Sequence, residues 1–251
     1  MATNYYYGQG CVYIAPVTDG VISGGFTAVG DADLLEITPS QEFLDITESK
    51  SGKFKRVKHI ETSSNFSFSL NVKEISAENL KKAFYGTLTA NTAATSFTDT
   101  VTAYDDSMVP LTHINISNVS VEVSGGTGAL VLGTDYSIGE QGLANGHIVI
   151  LPGHTHADLS SGSSWTLEVT YDYASSDKVE FGKEVLKHFA IIFEGINVAE
   201  NGRAERVTIH NVSLNMSTTL NLITDDAGTL SLVGEALPDA ADNIITYVQT
   251  A

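Results

Sequence analysis

The sequence predicts an all-β protein with one short helix, its strands antiparallel and arranged as a β-sandwich or curved sheet. Three observations predict it. Apolar residues recur with period two through several segments, as in Phe66, Phe68, Leu70 and Val72 set against Asn65, Ser67, Ser69 and Asn71. Two of these segments slip phase by one residue, the mark of β-bulges, which curved sheets need. Only one stretch carries the capping and 3.6-residue periodicity of a helix.

In chain order, residues 30–38 read as a strand, residues 47–58 as a long charged excursion, and Asn65–Val72 as a second strand. The helix follows. Ser76 caps its first turn, Glu78 sits near the positive end, and Gly86 marks the stop. Leu80, Ala83 and Phe84 form the stripe that packs on a sheet, while Lys81 and Lys82 face away. At about three turns this helix is marginal alone and depends on that packing. Residues 87–112, rich in Thr, Ala and Asp, read as loop, and 113–174 as wholly β. There Ile114 and Ile116 slip at Ser117-Asn118 before Val119, Val121 and Val123. Residues 134–138 and 147–151 are short strands, and Leu167, Val169, Tyr171 and Tyr173 alternate. Residues 182–193 open with a helical turn and end as a strand from Phe189. Asn145-Gly146 and Asn201-Gly202 are hairpin turns. Val207 and Ile209 slip at His210-Asn211 before Val212, Leu214 and Met216. A one-residue register error would turn each buried set toward solvent, so pairing is tightly specified.

At 251 residues a single all-β domain can bury a sizeable core, and 42% hydrophobic with 17% charged residues excludes wholesale disorder. Cys11 stands alone, so no intrachain disulfide forms. The first residues lack the layout of a secretion signal and no apolar run spans a bilayer, so a soluble protein made in a reducing cytoplasm is expected. A net charge of −17 argues against the usual nucleic-acid binder, which needs cations to displace counterions. It fits ordinary acidic solubility, or a surface that repels polyanions.

Lys50, Lys53, Lys55, Arg56 and Lys58, with Phe54 among them, gather much of the positive charge into one short stretch. Charge complementarity with so acidic a body favours an extended arm that docks on another copy. A solvated hairpin tip and a nucleic-acid patch are the alternatives, the latter short of stacking aromatics. His154, His156 and Asp158 have ligand chemistry at alternate positions, but no further cluster supports a metal, and an exposed polar loop is the expectation. Asp105-Asp106 and Asp225-Asp226 read as turns. Esterase, zinc-protease, phosphate-loop and dinucleotide motifs are absent. No catalytic residue, metal or cofactor is therefore expected.

As an ordered string, three blocks resemble the major tail tube proteins of long-tailed, non-contractile bacteriophages. The first is Gly8–Pro16 with residues 26–31. The second runs from Gly30 to Gly86, its Glu48-Ser-Lys-Ser-Gly52 and Ser76-Ala-Glu-Asn-Leu80 the most recognisable parts. The third runs from Ile192-Phe-Glu-Gly-Ile-Asn197 through Asn201-Gly202 to Leu230–Leu237. Residues 134–136, 146–150 and 169–173 also look familiar. The resemblance implies a structural protein of the virion tail, made in the host cytoplasm. It implies rings, usually hexameric, whose sheets join into one continuous β-barrel, stacked into a tube. The lumen is acidic, so DNA transits without specific binding. Besides itself, such a subunit meets tape measure, terminator and tip proteins. The family's long loop between the second and third strands reaches a neighbouring ring, and here it matches residues 47–58. One domain spans 1–251, with an elaborated insert at about 87–177. The rival from another class is a carbohydrate-binding or adhesin-like β-sandwich, which has only Trp165 as a platform candidate. A nearer rival is another ring-forming tail or secretion tube protein.

Overall fold

The structure, a computed structural model, describes residues 5–159, 163–185, 187–217, 219–225 and 227–250. In chain order it runs β1 (Gly8–Thr18), β2 (Val21–Ile22), β3 (Thr27–Ala28), β4 (Ala32–Thr47), β5 (Arg56–Val72), α1 (Ala77–Ala83), β6 (Thr87–Asn91), β7 (Ala94–Tyr104), β8 (Met108–Pro110) and β9 (Ile116–Val123). There follow β10 (Tyr136–Ser137), α2 (Glu140–Asn145), β11 (His147–Ile150), β12 (Ser164–Tyr173), β13 (Ser176–Glu180), β14 (His188–Asn197), β15 (Arg203–Asn215), β16 (Leu230–Leu237) and β17 (Ile245–Gln249). The fold is all-β and antiparallel, with short helices only. No helix among the described residues is long and apolar enough to cross a membrane.

The chain divides into two compact units, Met1–Leu88 with Val179–Ala251, and Thr89–Lys178. In the first, one sheet runs in the order β2-β1-β14-β15-β16-β5-β4, with β3 added to β1 and β17 to β15. The alternating residues supply its core: Phe68, Leu70 and Val72 from β5 meet Ile191, Ile209, Leu214, Leu230 and Leu232, all buried. Each such side chain contributes about 1.5–3 kcal/mol of burial before entropy is charged against it. Between Phe189 and Ile191 the register against β15 jumps from Val212 to Ile209, so the extra residue falls at His210-Asn211. Met216, read as part of the buried series, lies beyond the strand and is exposed. One cavity of about 650 Å³ in this unit is lined by Gly8, Gly10 and Val12 of β1, by Asp33, Leu35 and Ile37 of β4, and by Phe193 and Val207 between them in the strand order.

The Ser76 hydroxyl caps α1, accepting from the Asn79 N–H at 3.3 Å. Ala83 is fully buried, with Leu80 and Phe84 packed against the same core. Two expectations are corrected here. The helix ends at Ala83 with Phe84 as its C-cap, and the left-handed residue after it is Tyr85, at φ 49°, not Gly86, which donates its N–H to the Lys81 carbonyl. Lys82 does not face away: its side chain is only 13% exposed.

The second unit has two three-stranded sheets, β7-β12-β9 and β10-β11-β8, which share one core of Val121, Ile148, Ile150, Leu167, Val169 and Tyr171. Against β12 the register steps from Ser120 to Ser117 while β12 advances from Thr170 to Asp172, placing the β9 bulge at the predicted slip. Much of 87–112 is strand, not loop. Phe97, Asp99, Val101 and Ala103 are the more buried alternate positions of β7, and Asp99 among them accepts from Tyr171 Oη and the Thr112 N–H. Asn145-Gly146 is not a hairpin turn but the end of α2, where Gly146 takes φ 69° and donates to Gly142. No helical turn forms in 182–187 among the described residues.

Candidate assembly surface

Residues 47–58 are the end of a long hairpin. β4 and β5 pair from Ala32 and Val72 out to Thr47 and Arg56. β16 pairs with β5 only over Phe66–Val72, so, among the described residues, 56–65 have β4 as their one strand neighbour. At about 3.3 Å per residue this ribbon runs roughly 30 Å past the shared sheet. An isolated two-stranded ribbon is marginal in water, and the far edge of β4 has no strand partner among the described residues.

Both faces of the ribbon carry exposed apolar groups. Phe43 and Leu44, adjacent and therefore on opposite faces, are 45% and 53% exposed, and Ile46, Val57 and Ile60 are also exposed. One face is fixed by cross-strand contacts: the Phe43 and His59 rings stack at 4.1 Å, Asp45 meets His59 Nδ1 at 2.5 Å, and Arg56 donates to Asp45 at 3.1 Å. β5 is bulged twice in this stretch, at Thr62 and Val57, which adds twist.

At the tip the Glu48 N–H donates to the Lys55 carbonyl at 2.9 Å, and Gly52 and Phe54 take positive φ. Phe54 is 69% exposed. Among the described residues no ion pair involves Lys50, Lys53, Lys55 or Lys58, whereas Arg56 is engaged within its own hairpin. The structure therefore separates Arg56, which holds the ribbon, from the four lysines, whose charge is unspent.

The His59 hydrogen bond and then Arg56 hold the Asp45 carboxyl below the usual aspartate range. The linkage is full above that range and is lost as pH falls through the lowered value. An NMR titration of the Asp45 carboxyl should show a midpoint below that of free aspartate, returning toward it in His59→Gln. An unchanged midpoint would exclude the His59 contact as the cause.

Of the other sequence candidates, His156 and Asp158 come together, Nδ1 to Oδ2 3.6 Å, while His154 does not join them. His154 faces Asp105 at 3.5 Å, while Asp158 accepts from Thr127 and its own N–H donates to His156 Nδ1. No group of three or more His, Cys, Asp or Glu among the described residues could hold a metal. Asp106 lies in a turn with φ 49°, and Asp226 lies outside the described residues. Trp165 is buried and offers no open platform.

Sequence reasoning missed the anchor of the N-terminal segment. Buried Glu205 accepts from Tyr6 Oη at 2.7 Å and Tyr247 Oη at 2.8 Å. Burial, followed by the Glu205 hydrogen bond, pushes Tyr6 up to about 12. Buried Asn197 bridges the Tyr5 carbonyl and the Tyr7 N–H. Glu205 lies in an alternating strand at a position that reads as polar, so spacing alone gave no signal. The outer edge of β1 over Gly8–Gln9 also lacks a strand partner among the described residues.

Residues 5–246 match the profile of a family described as protein of unknown function UCP028589. No curated protein matches the chain.

Proposed function

This chain belongs to that uncharacterised family, and we propose that it is a structural, non-enzymatic subunit that assembles with copies of itself into stacked rings, forming the tail tube of a long-tailed bacteriophage. One observation carries the reading: a ribbon with unpaired edges, exposed apolar groups on both faces and a lysine-rich tip projects from an otherwise acidic chain. Such a ribbon is an aggregation hazard unless a partner covers it. Lateral pairing of the open edges closes a ring and ends growth in that direction, while the contact between rings stays free to repeat. The lysines of the tip meet acidic surfaces of the next ring. A channel lined by acidic and small polar side chains lets DNA slide without adhering. Hexameric rings, placement in the virion tail, and contacts with tape measure, terminator and tip proteins follow from the sequence resemblance.

The direct test is negative-stain microscopy of concentrated pure protein. Rings of uniform diameter or hollow filaments are expected. Protein that stays monomeric at every concentration and ionic strength would overturn the reading.

A further inference from the structure

Beside α1 the first unit has a partly open cavity of about 430 Å³ that assembly through the hairpin does not use. Ile14, Pro16, Ala28 and Phe189 give it an apolar wall; Lys81, Lys82 and Lys187 line it together with Glu78 and Glu184, and Glu184 is taken up by Lys187 at 2.9 Å. Glu78 Oε2, at 3.9 Å from the Lys82 ammonium, is outside hydrogen-bond reach and lies 4.0 Å from Lys81 as well. One carboxylate thus faces two ammonium groups. Burial is the chief cause that holds Lys82 below the ordinary lysine range, with Glu78 opposing it only in part. The charged amine sits where its charge is under-compensated.

An apolar wall in a cavity of this size, with one positive charge in excess once Glu184 and Lys187 are paired, is the lining of a small-ligand site. The missing component is an anion, and the walls call for a tail that leaves water. We propose that this cavity binds a small amphipathic monocarboxylate, its head on the Lys82 ammonium and its tail against Ile14, Pro16 and Phe189. A bare phosphate would leave the apolar wall unfilled, and an amine would add a fourth cation beside Lys81, Lys82 and Lys187.

Calorimetric titration of the purified chain with octanoate tests this. Saturable binding, one per chain, is expected. Lys82→Met keeps the apolar stem and should weaken it about tenfold or more, the value of one charge-assisted contact. Lys73→Met, at an exposed lysine outside the cavity, should leave it unchanged. On the unaltered protein, 1-octylamine should not bind, which keeps the test decisive if Lys82→Met does not fold. Absence of saturation, equal affinity in a folded Lys82→Met, or equal binding of octylamine would each overturn the proposal. The outcome is independent of whether tubes form.

Discussion

Replacing Lys50, Lys53 and Lys55 together by Glu is expected to abolish filaments while leaving a folded monomer. The three side chains are exposed, and no ion pair among the described residues involves them. Surface substitutions of this kind shift stability by only about ±0.5 kcal/mol each. Between copies the sign of every contact reverses, and juxtaposed like charges cost several kcal/mol. The hairpin itself should persist, because Asp45, Arg56, His59 and the Phe43 stack are untouched. Arg56→Gln separates the two roles: it removes a contact within the ribbon and should loosen its outer end without reversing tip charge. Sedimentation velocity and microscopy read assembly, and circular dichroism reads the fold. Filaments of the triple variant at an unchanged critical concentration would remove the tip from the mechanism, leaving the apolar faces and open edges to carry it. Raising the salt should weaken assembly of the native protein in proportion to what the lysines contribute, since exposed charges are screened within about 10 Å at 0.1 M.

The parts of this fold that were legible in sequence are those where side-chain period and backbone agree. Phe68, Leu70 and Val72 alternate and are buried, and the two phase slips locate bulges at Asn118 and His210-Asn211 because an extra residue must break the period. Ser76 announced its helix by a capping chemistry that few other positions satisfy. What was illegible is held by tertiary contact. α2 contains Gly142, a poor helix former, yet a Cβ there would stand 2.7 Å from the His147 carbonyl, and the turn is stabilised by the Asn115 and Leu111 N–H groups donating to Ala144 and Gly146. β7 hid as a loop because one of its more buried positions is Asp99. Lys82 reads as a solvated lysine, and only the chain folded beside it buries it. The candidate surface was half legible: charge marked the tip at Lys50–Lys58, but that Phe43, Leu44 and Ile60 would stand uncovered depends on where β16 stops pairing.

Asp135→Ala should be the most damaging single change in the second unit. The carboxylate is 1% exposed and accepts three backbone N–H groups: Val131 at 2.8 Å, Thr155 at 3.0 Å and His156 at 3.1 Å. Burial alone would raise its pKa, but these three donors outweigh it and the folded value is lowered. Removing the acceptor leaves three donors with nothing to bond, each costing about 1–3 kcal/mol if water cannot reach it, so a loss of roughly 3–5 kcal/mol is expected. Asp135→Asn should fall between, since its amide nitrogen turns a donor toward donors. The sign with pH follows from the lowered folded value. The contribution is complete above the ordinary aspartate range near pH 4 and fades as pH falls through the folded pKa, so the gap between native and Asp135→Asn should narrow in acid. Because each unit has its own core, the damage should stay local. Amide exchange should accelerate at Leu167, Val169 and Ile148 while Ile191 and Leu232 keep their protection. Equal loss at both sets would mean that the two cores melt as one, and the inserted residues 89–178 would then be a working part of the first unit's stability.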